Sequence, residues 1–329
     1  MTNENEQINL KEHIIGTIKK NLLWLIKNPK FILFLSDLDE NYENVQDYYR
    51  YHVSKRRFVK KFKSPLLFIG ILLLFSILSL AVFESWVSSY ELAFIPAPFS
   101  YAPPSPEHPF GQTFRGLDVL ARMIYGVRYN LIIIFSSTLI SIFAGIFIGA
   151  ITAYYEGWID IILMRLMDVI LSFPGIIFAI LFLLIWGHNI EIIILVYAII
   201  ETPYFSRIIR TSVLTEKNIF YVDAARAIGA KNQRIIFRHI LPNCIQPILV
   251  SASLNMGKVL LSLTVLSFLG LADFSWIQWG SDIFSAINRV IQAPWATYGP
   301  LLMIIITVVC FLLIGDGLRD VFALKVEYL

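Results

Sequence analysis

Tyr221 to Asn243 reads YVDAARAIGAKNQRIIFRHILPN, a polar and basic stretch of helix-forming composition set between two long apolar runs. A stretch this polar and basic does not lie within the bilayer, so whatever reads it lies outside. Ala224, Ala225 and Ala227 are small enough to admit another protein's surface close to the helix backbone. Gly229 can take the left-handed conformation that ends a helix. A second short helix is expected over Asn232 to Ile240, with Pro242 stopping it.

The apolar runs on either side set the class. The 329-residue chain is 57% hydrophobic and only 16% charged, and its mean hydropathy is +0.68. Soluble domains carry about a quarter charged residues, so a soluble enzyme is excluded and a multi-pass membrane protein is expected. Runs long enough to cross a bilayer, about 20 residues each, lie near 66–83, 129–153, 166–186, 190–212, 245–271 and 298–315. They predict an all-α integral membrane protein with six transmembrane helices. The 65 mostly polar residues before the first run argue against a removable signal peptide.

Basic residues near span ends are retained on the cytoplasmic side. With the N-terminus inside, that side holds twelve Lys and Arg before Pro65, Arg165, seven between 204 and 243, and Arg319 and Lys325. The other side holds Arg115, Arg122, Arg128 and Arg289. Both termini and the 221–243 stretch are therefore expected in the cytoplasm. The net charge of +3 follows from this bias and points to no nucleic-acid partner. Cys244 and Cys310 fall at or within spans and predict no structural disulfide.

Four segments are expected. Residues 1–64 form a cytoplasmic extension with an interfacial helix at 21–35 and a basic collar of Lys55, Arg56, Arg57, Lys60, Lys61 and Lys63, suited to anionic lipid headgroups. Residues 65–128 hold the first span and a Pro-rich outer segment. Residues 129–320 hold a five-helix core with the loop 213–243, and residues 321–329 form a cytoplasmic tail. In the second span Ser137, Ser141, Gly145 and Gly149 share one helix face and predict a close packing seam.

Spacing in the opening stretch resembles the EAA signature loop of ABC-importer permeases: Asp223-Ala224-Ala225, then Gly229, then Leu241-Pro242, with Asp223 where Glu is usual and His239 where Ile is common. Other stretches resemble the C-type permease subunit of the dipeptide, oligopeptide and nickel class. They are His108, Pro109, Gly111, Gly116 and Asp118 in the outer segment, WIDIILMRLMDVILSFPG at 158–175, LSFLGL at 266–271, APW at 293–295 and LIGDGLRD at 313–320. Gln112, Thr113 and Leu117 depart from the class pattern, and Leu263 stands where it often has Glu. The resemblance covers about 105–320, with the motifs in matching order.

The resemblance implies a type I ABC importer permease fold. Its partners would be a homologous second permease subunit, two cytoplasmic ABC ATPase subunits or domains that bind ATP and Mg, and an extracellular solute-binding protein. It further implies that Tyr221, Asp223, Ala224, Ala225, Arg226, Gly229, Ala230, Arg234, Leu241 and Pro242 form the ATPase-docking loop. A blander reading also stands: Arg226, Lys231, Arg234 and Arg238 would bind headgroups. Cargo could be a peptide, an oligosaccharide or nickel.

No GxxxxGK[ST] phosphate loop, HExxH or CxxC occurs, so no enzymatic chemistry, metal or cofactor is expected in this chain. Two ionisable residues fall deep in spans, Glu201 and Lys258. A lone charge there costs several kcal/mol and so faces a cavity or a partner. Either the two pair and line the translocation path, or each turns to water or to a companion subunit. Pro203 is expected to kink the fourth span, and Asn255 and Ser262 add polar surface to the fifth. An ion-coupled secondary transporter is the alternative of a different class. It would show internal repeats with interrupted spans and more membrane acids.

Overall fold

A chain surrounded by hydrocarbon must satisfy every backbone N–H and C=O internally, so the apolar runs fold as helices. The computed structural model describes residues 64–89, 93, 94, 96, 100–271 and 276–323. The expected interfacial helix, the basic collar and the last six residues lie outside these. Among the described residues the α-helices longer than one turn are α1 (Pro65–Val82), α2 (Val119–Tyr155), α3 (Gly157–Ser172), α4 (Gly175–Trp186), α5 (Ile190–Glu216), α6 (Phe220–Ala227), α7 (Ile245–Phe268), α8 (Trp279–Ala286) and α9 (Pro294–Ala323). No β-strand occurs among the described residues. Five helical stretches there are long and apolar enough to cross a membrane, or six if α3 and α4 count as one bent span.

α2 begins at Val119, ten residues before the apolar run suggested, because Asp118 caps it: the carboxylate accepts from the Ala121 N–H at 2.7 Å. Its 37 residues span about 55 Å, well beyond a hydrocarbon core of about 30 Å.

α2 packs along α5 through the expected seam. The Ser141 hydroxyl donates to the Ala198 carbonyl of α5 at 3.0 Å. A Cβ on Gly145 would lie 2.6 Å from the Phe205 Cβ, and one on Gly149 would lie 2.5 Å from the Ser206 carbonyl. Backbone thus touches backbone, and the contact is dispersion at close range. α9 closes on α1 in the same way, since a Cβ on Gly317 would meet the Leu67 N at 2.5 Å. α1 otherwise exposes Phe68 and Phe75 outward, as a lipid-facing helix does.

Two expectations are corrected. The run 166–186 is not one helix: α3 stops at Ser172, and α4 leaves at 86°. Phe173 is extended because it precedes Pro174, which disfavours helical backbone and has no N–H to give. Pro203 lies inside α5, which runs on to Glu216; packing against α2 tolerates the missing bond. Pro242 does not stop the helical path. Asn232–Arg234 is one α turn, Ile235–Ile240 a π turn and Leu241–Cys244 a 3-10 turn that leads straight into α7. At the start of a new turn proline's absent N–H has no intrahelical bond to lose, and the wide π turn resets the register before it.

Candidate functional site

The break at Phe173-Pro174 borders a cleft of about 560 Å³ between α3, α4, α5 and α7. Glu201, Tyr204 and Arg207 reach it from α5, and Lys258 and Ser262 from α7. Residues 201, 204 and 207–208 recur at helical spacing, so one face of α5 supplies them.

Glu201 and Lys258 meet there. Lys258 Nζ donates to both Glu201 carboxylate oxygens at 3.0 and 3.1 Å, and Asn255 Nδ2 donates to Oε2 at 2.6 Å. A buried carboxylate persists only when paired and hydrogen-bonded, and these two residues of α7 supply both. The pair is lopsided: the Glu201 side chain is 4% exposed and that of Lys258 62%. The Tyr204 ring lies 5.8 Å from Nζ.

Lys258 sits in the middle of α7, about 20 Å from one end and about 15 Å from the other at 1.5 Å per residue. A lysine stem cannot span either distance to reach headgroups. This flank therefore faces water or protein, since an exposed ammonium is excluded from hydrocarbon at that depth. Of the residues expected on a path, Glu201, Lys258 and Ser262 border the cleft, Asn255 braces Glu201 from behind, and Pro203 is buried inside the helix stack.

The polar face of α5 continues past the cleft. Arg207 pairs with Asp168 of α3 at 2.6 Å, and Arg210 clamps Asp160 through two bonds of 2.7 and 2.6 Å. A second cleft of about 490 Å³ runs between these pairs and shares Arg207 with the first. Where α2 turns into α3, Lys217 Nζ pairs with Glu156 and donates to the Ala153 carbonyl at 2.9 Å. The sequence reading did not single out these pairs. The available signal was a set of isolated acids and arginines on two otherwise apolar helices, which span counting placed at helix ends.

About 22 Å further along α5, fifteen residues past Glu201, the chain enters the 221–243 segment. α6 ends in a Schellman turn: Gly229 has φ of 79°, its N–H bonds the Arg226 carbonyl at 2.9 Å, and the Ala230 N–H bonds Ala225 at 3.1 Å. Nothing lies within 4 Å of a Cβ placed on Gly229, so the residue is required by its backbone angle alone.

One face of the segment is anchored. Val222, Ala225, Ile235, Ile236 and Ile240 join Ile209 and Val213 of α5 in a buried cluster. Ala225 therefore serves the chain's own packing, a correction to the expectation that it lies open to another protein. The Tyr221 hydroxyl donates to Glu216 at 2.7 Å and accepts from Asn243 Nδ2 at 3.1 Å, stitching the segment's two ends to α5. Burial first, and the Glu216 bond second, push its pKa up to about 12.

The other face is open. Asp223 and Arg226 form an exposed pair at 3.1 Å, Arg234 and Pro242 are exposed, and Ala230 and Leu241 are half-buried. Ile228 is 85% and Phe237 58% exposed, apolar surface that the sequence reading passed over. Ala224 lies within α6.

At the opposite end the His108–Asp118 motif folds as a cap. His108 pairs with Asp118 at 2.9 Å and with Gln112 at 2.8 Å, and the Trp295 indole donates to the Gln112 carbonyl at 3.2 Å. Arg122 holds the buried Asp282 at 2.6 Å, and burial raises that carboxyl's pKa against the pull of the arginine. Among the described residues no cluster of His, Cys, Asp or Glu could hold a metal.

Residues 141–328 match the family described as binding-protein-dependent transport system inner membrane component. The dipeptide transport system permease protein DppC of Alkalihalophilus pseudofirmus is 35% identical over 259 residues, 78% of this chain and 85% of that protein. The glutathione transport system permease protein GsiD of Pectobacterium atrosepticum is 38% identical over 218 residues, 66% of this chain and 72% of the relative. Among solved structures, a chain of the MetNI methionine ABC transporter in inward facing conformations superposes with a TM-score of 0.51 at 17% identity, covering 61% of this chain and 95% of that one. At that identity the likeness is one of fold. The family match spans more than half of the chain and the relatives align over most of their length, so this multi-pass membrane protein belongs to the inner membrane components of binding-protein-dependent transport systems.

Proposed function

We propose that this chain is one half of the membrane channel of an ATP-driven peptide importer. A homologous permease supplies the other half, and an extracellular solute-binding protein delivers the cargo. Two ATPase subunits or domains, which bind ATP and Mg, dock on the 221–243 segment. The dipeptide and glutathione permeases among the relatives support a peptide cargo. The Lys and Arg bias supports a cytoplasmic placement of both termini and of the docking segment, with α3 and α4 counted as one broken span among six. Membrane lipid covers the exposed apolar faces.

The observation that carries the reading is the build of the docking segment. Its inner face is locked to the end of α5 by the buried cluster and by Tyr221, and its outer face presents Ile228, Phe237, Asp223 and Arg226. A push on that face moves α5, and α5 carries the cleft. Nucleotide-driven closure of the ATPases would thus reach the path as a rigid-body rotation. Glu201 is held by Lys258 and Asn255, which leaves it poorly suited to carry a coupled ion and disfavours a secondary transporter.

Gly229→Val tests coupling. A branched residue at φ of 79° costs about 1–2 kcal/mol of local strain, so the subunit folds while the turn is distorted. ATP hydrolysis by the assembled complex should persist while uptake of labelled peptide falls. Unchanged uptake would overturn the docking role. Cells lacking the chain should lose uptake of labelled short peptides and regain it on complementation. Loss of oligosaccharide or nickel uptake instead would replace the cargo.

A further inference from the structure

The cleft beside the broken helix presents charge of one sign. Its bordering charged groups are Glu201, Lys258 and Arg207, and the acid is the one that is hidden: side-chain exposure is 4% for Glu201, 62% for Lys258 and 53% for Arg207. Asp168, which pairs with Arg207, borders the neighbouring cleft. Lys258 commits two of its three N–H donors to Glu201. Among the described residues Arg207 spends one guanidinium nitrogen on Asp168. Unspent donors therefore face a cleft of about 560 Å³, a volume that holds a small organic ligand. Apart from Tyr197, Tyr204 and Ser262 the rest of the wall is apolar, with Phe173, Ile176 and Ile200 among its residues.

Resting on the reading of this chain as a peptide importer's permease, we propose that this cleft is a transit site for the cargo's carboxylate, with Lys258 and Arg207 as its donors. Apolar walls take the side chains and the cations take the acid end. Glu201 sets the grip. A lone ammonium in a poorly solvated cleft would hold a carboxylate too long for passage, because conduction needs a site that releases as readily as it binds. Sharing Lys258 with a buried acid weakens the hold while keeping the donors aimed.

Ser262 lies one helical turn from Lys258 on the same cleft wall, and Cys244 and Cys310 are buried. A Ser262→Cys variant of the complete importer in proteoliposomes therefore supplies a reporter thiol. Its labelling by an anionic sulfonatoethyl methanethiosulfonate is compared with labelling by the cationic trimethylammonium reagent, each normalised to free cysteine.

The expected result is a preference for the anion of about tenfold, the local enrichment that a cleft of one sign produces. Millimolar tri-alanine should slow labelling, and tri-alanine amide should not. In the Glu201→Gln/Lys258→Met background, which removes the pair and leaves Arg207 as the one cation bordering the cleft, both the preference and the protection should fall. With Glu201→Gln alone, tri-alanine should protect at lower concentration while peptide uptake slows.

An unreactive thiol would mean that the companion permease seals this flank, and would overturn the proposal. So would equal labelling by both reagents, or equal protection by the amide. Stimulation of ATP hydrolysis by the loaded binding protein, measured on the same vesicles, reports on the importer reading separately.

Discussion

The two faces of α5 are held by different physics. Toward α2 the contact is glycine against backbone, with Gly145 and Gly149 leaving no room for a methyl group and Ser141 bonding the Ala198 carbonyl. Toward α3 and α7 the same helix relies on charge: Glu201 with Lys258, Arg207 with Asp168 and Arg210 with Asp160. Dispersion at close range falls away steeply with any gap, so the first face has a single geometry. Ion pairs bordered by open clefts tolerate rearrangement and water. A helix built this way can move as one body with α2 while its other side opens and closes, which suits a transport path.

The comparison predicts a ranking of mutational costs in which burial, rather than formal charge, decides. Lys258→Met strands the Glu201 carboxylate without its counter-charge and should cost about 3–5 kcal/mol, seen as a large fall in the thermal midpoint of the detergent-solubilised subunit. Glu201→Gln/Lys258→Met should recover most of that loss. If the single variant were as stable as the parent, the pair would be ornamental and the contrast between the faces would collapse.

Gly149→Ala on the seam should come next, at about 1–3 kcal/mol, because its Cβ meets main-chain atoms that cannot swing aside. A near-neutral result by the same unfolding measurement would show that α2 and α5 can separate. Asp168→Asn should be smallest, about 1 kcal/mol or less, since both partners in that pair are roughly half exposed. It should leave the unfolding midpoint nearly unchanged, and raising salt should narrow even that difference.

Legibility in the sequence followed the range of the interaction. The glycine and serine seam was readable because four small residues four apart mark one face, and a close neighbour is their plain use in lipid. The Schellman turn at Gly229 was readable for the same kind of reason. The break at Phe173-Pro174 was not foreseen, although proline after a bulky residue is its local cause. Hydropathy averaged over 166–186 hid it, because both halves are apolar. At Pro242 the expectation of a stop failed in the opposite direction, since a change of helical turn absorbed the missing N–H. The orientation of Ala225 was misread because smallness permits close approach from either side, and only the neighbouring helices say which side is used.

By itself, then, the sequence determined the helical class, the approximate spans, the basic bias between the two sides and the turn chemistry of the 221–243 segment. Each of these rests on composition or on bonds between residues a few positions apart. Tertiary structure alone decided that Glu201 and Lys258, 57 residues apart, satisfy each other. It alone decided that Arg207 and Arg210 find their acids on α3, and that the break between α3 and α4 borders a cleft beside them. Those outcomes depend on how far helices tilt and rotate as their faces pack, a sum of many small contacts that no local pattern encodes.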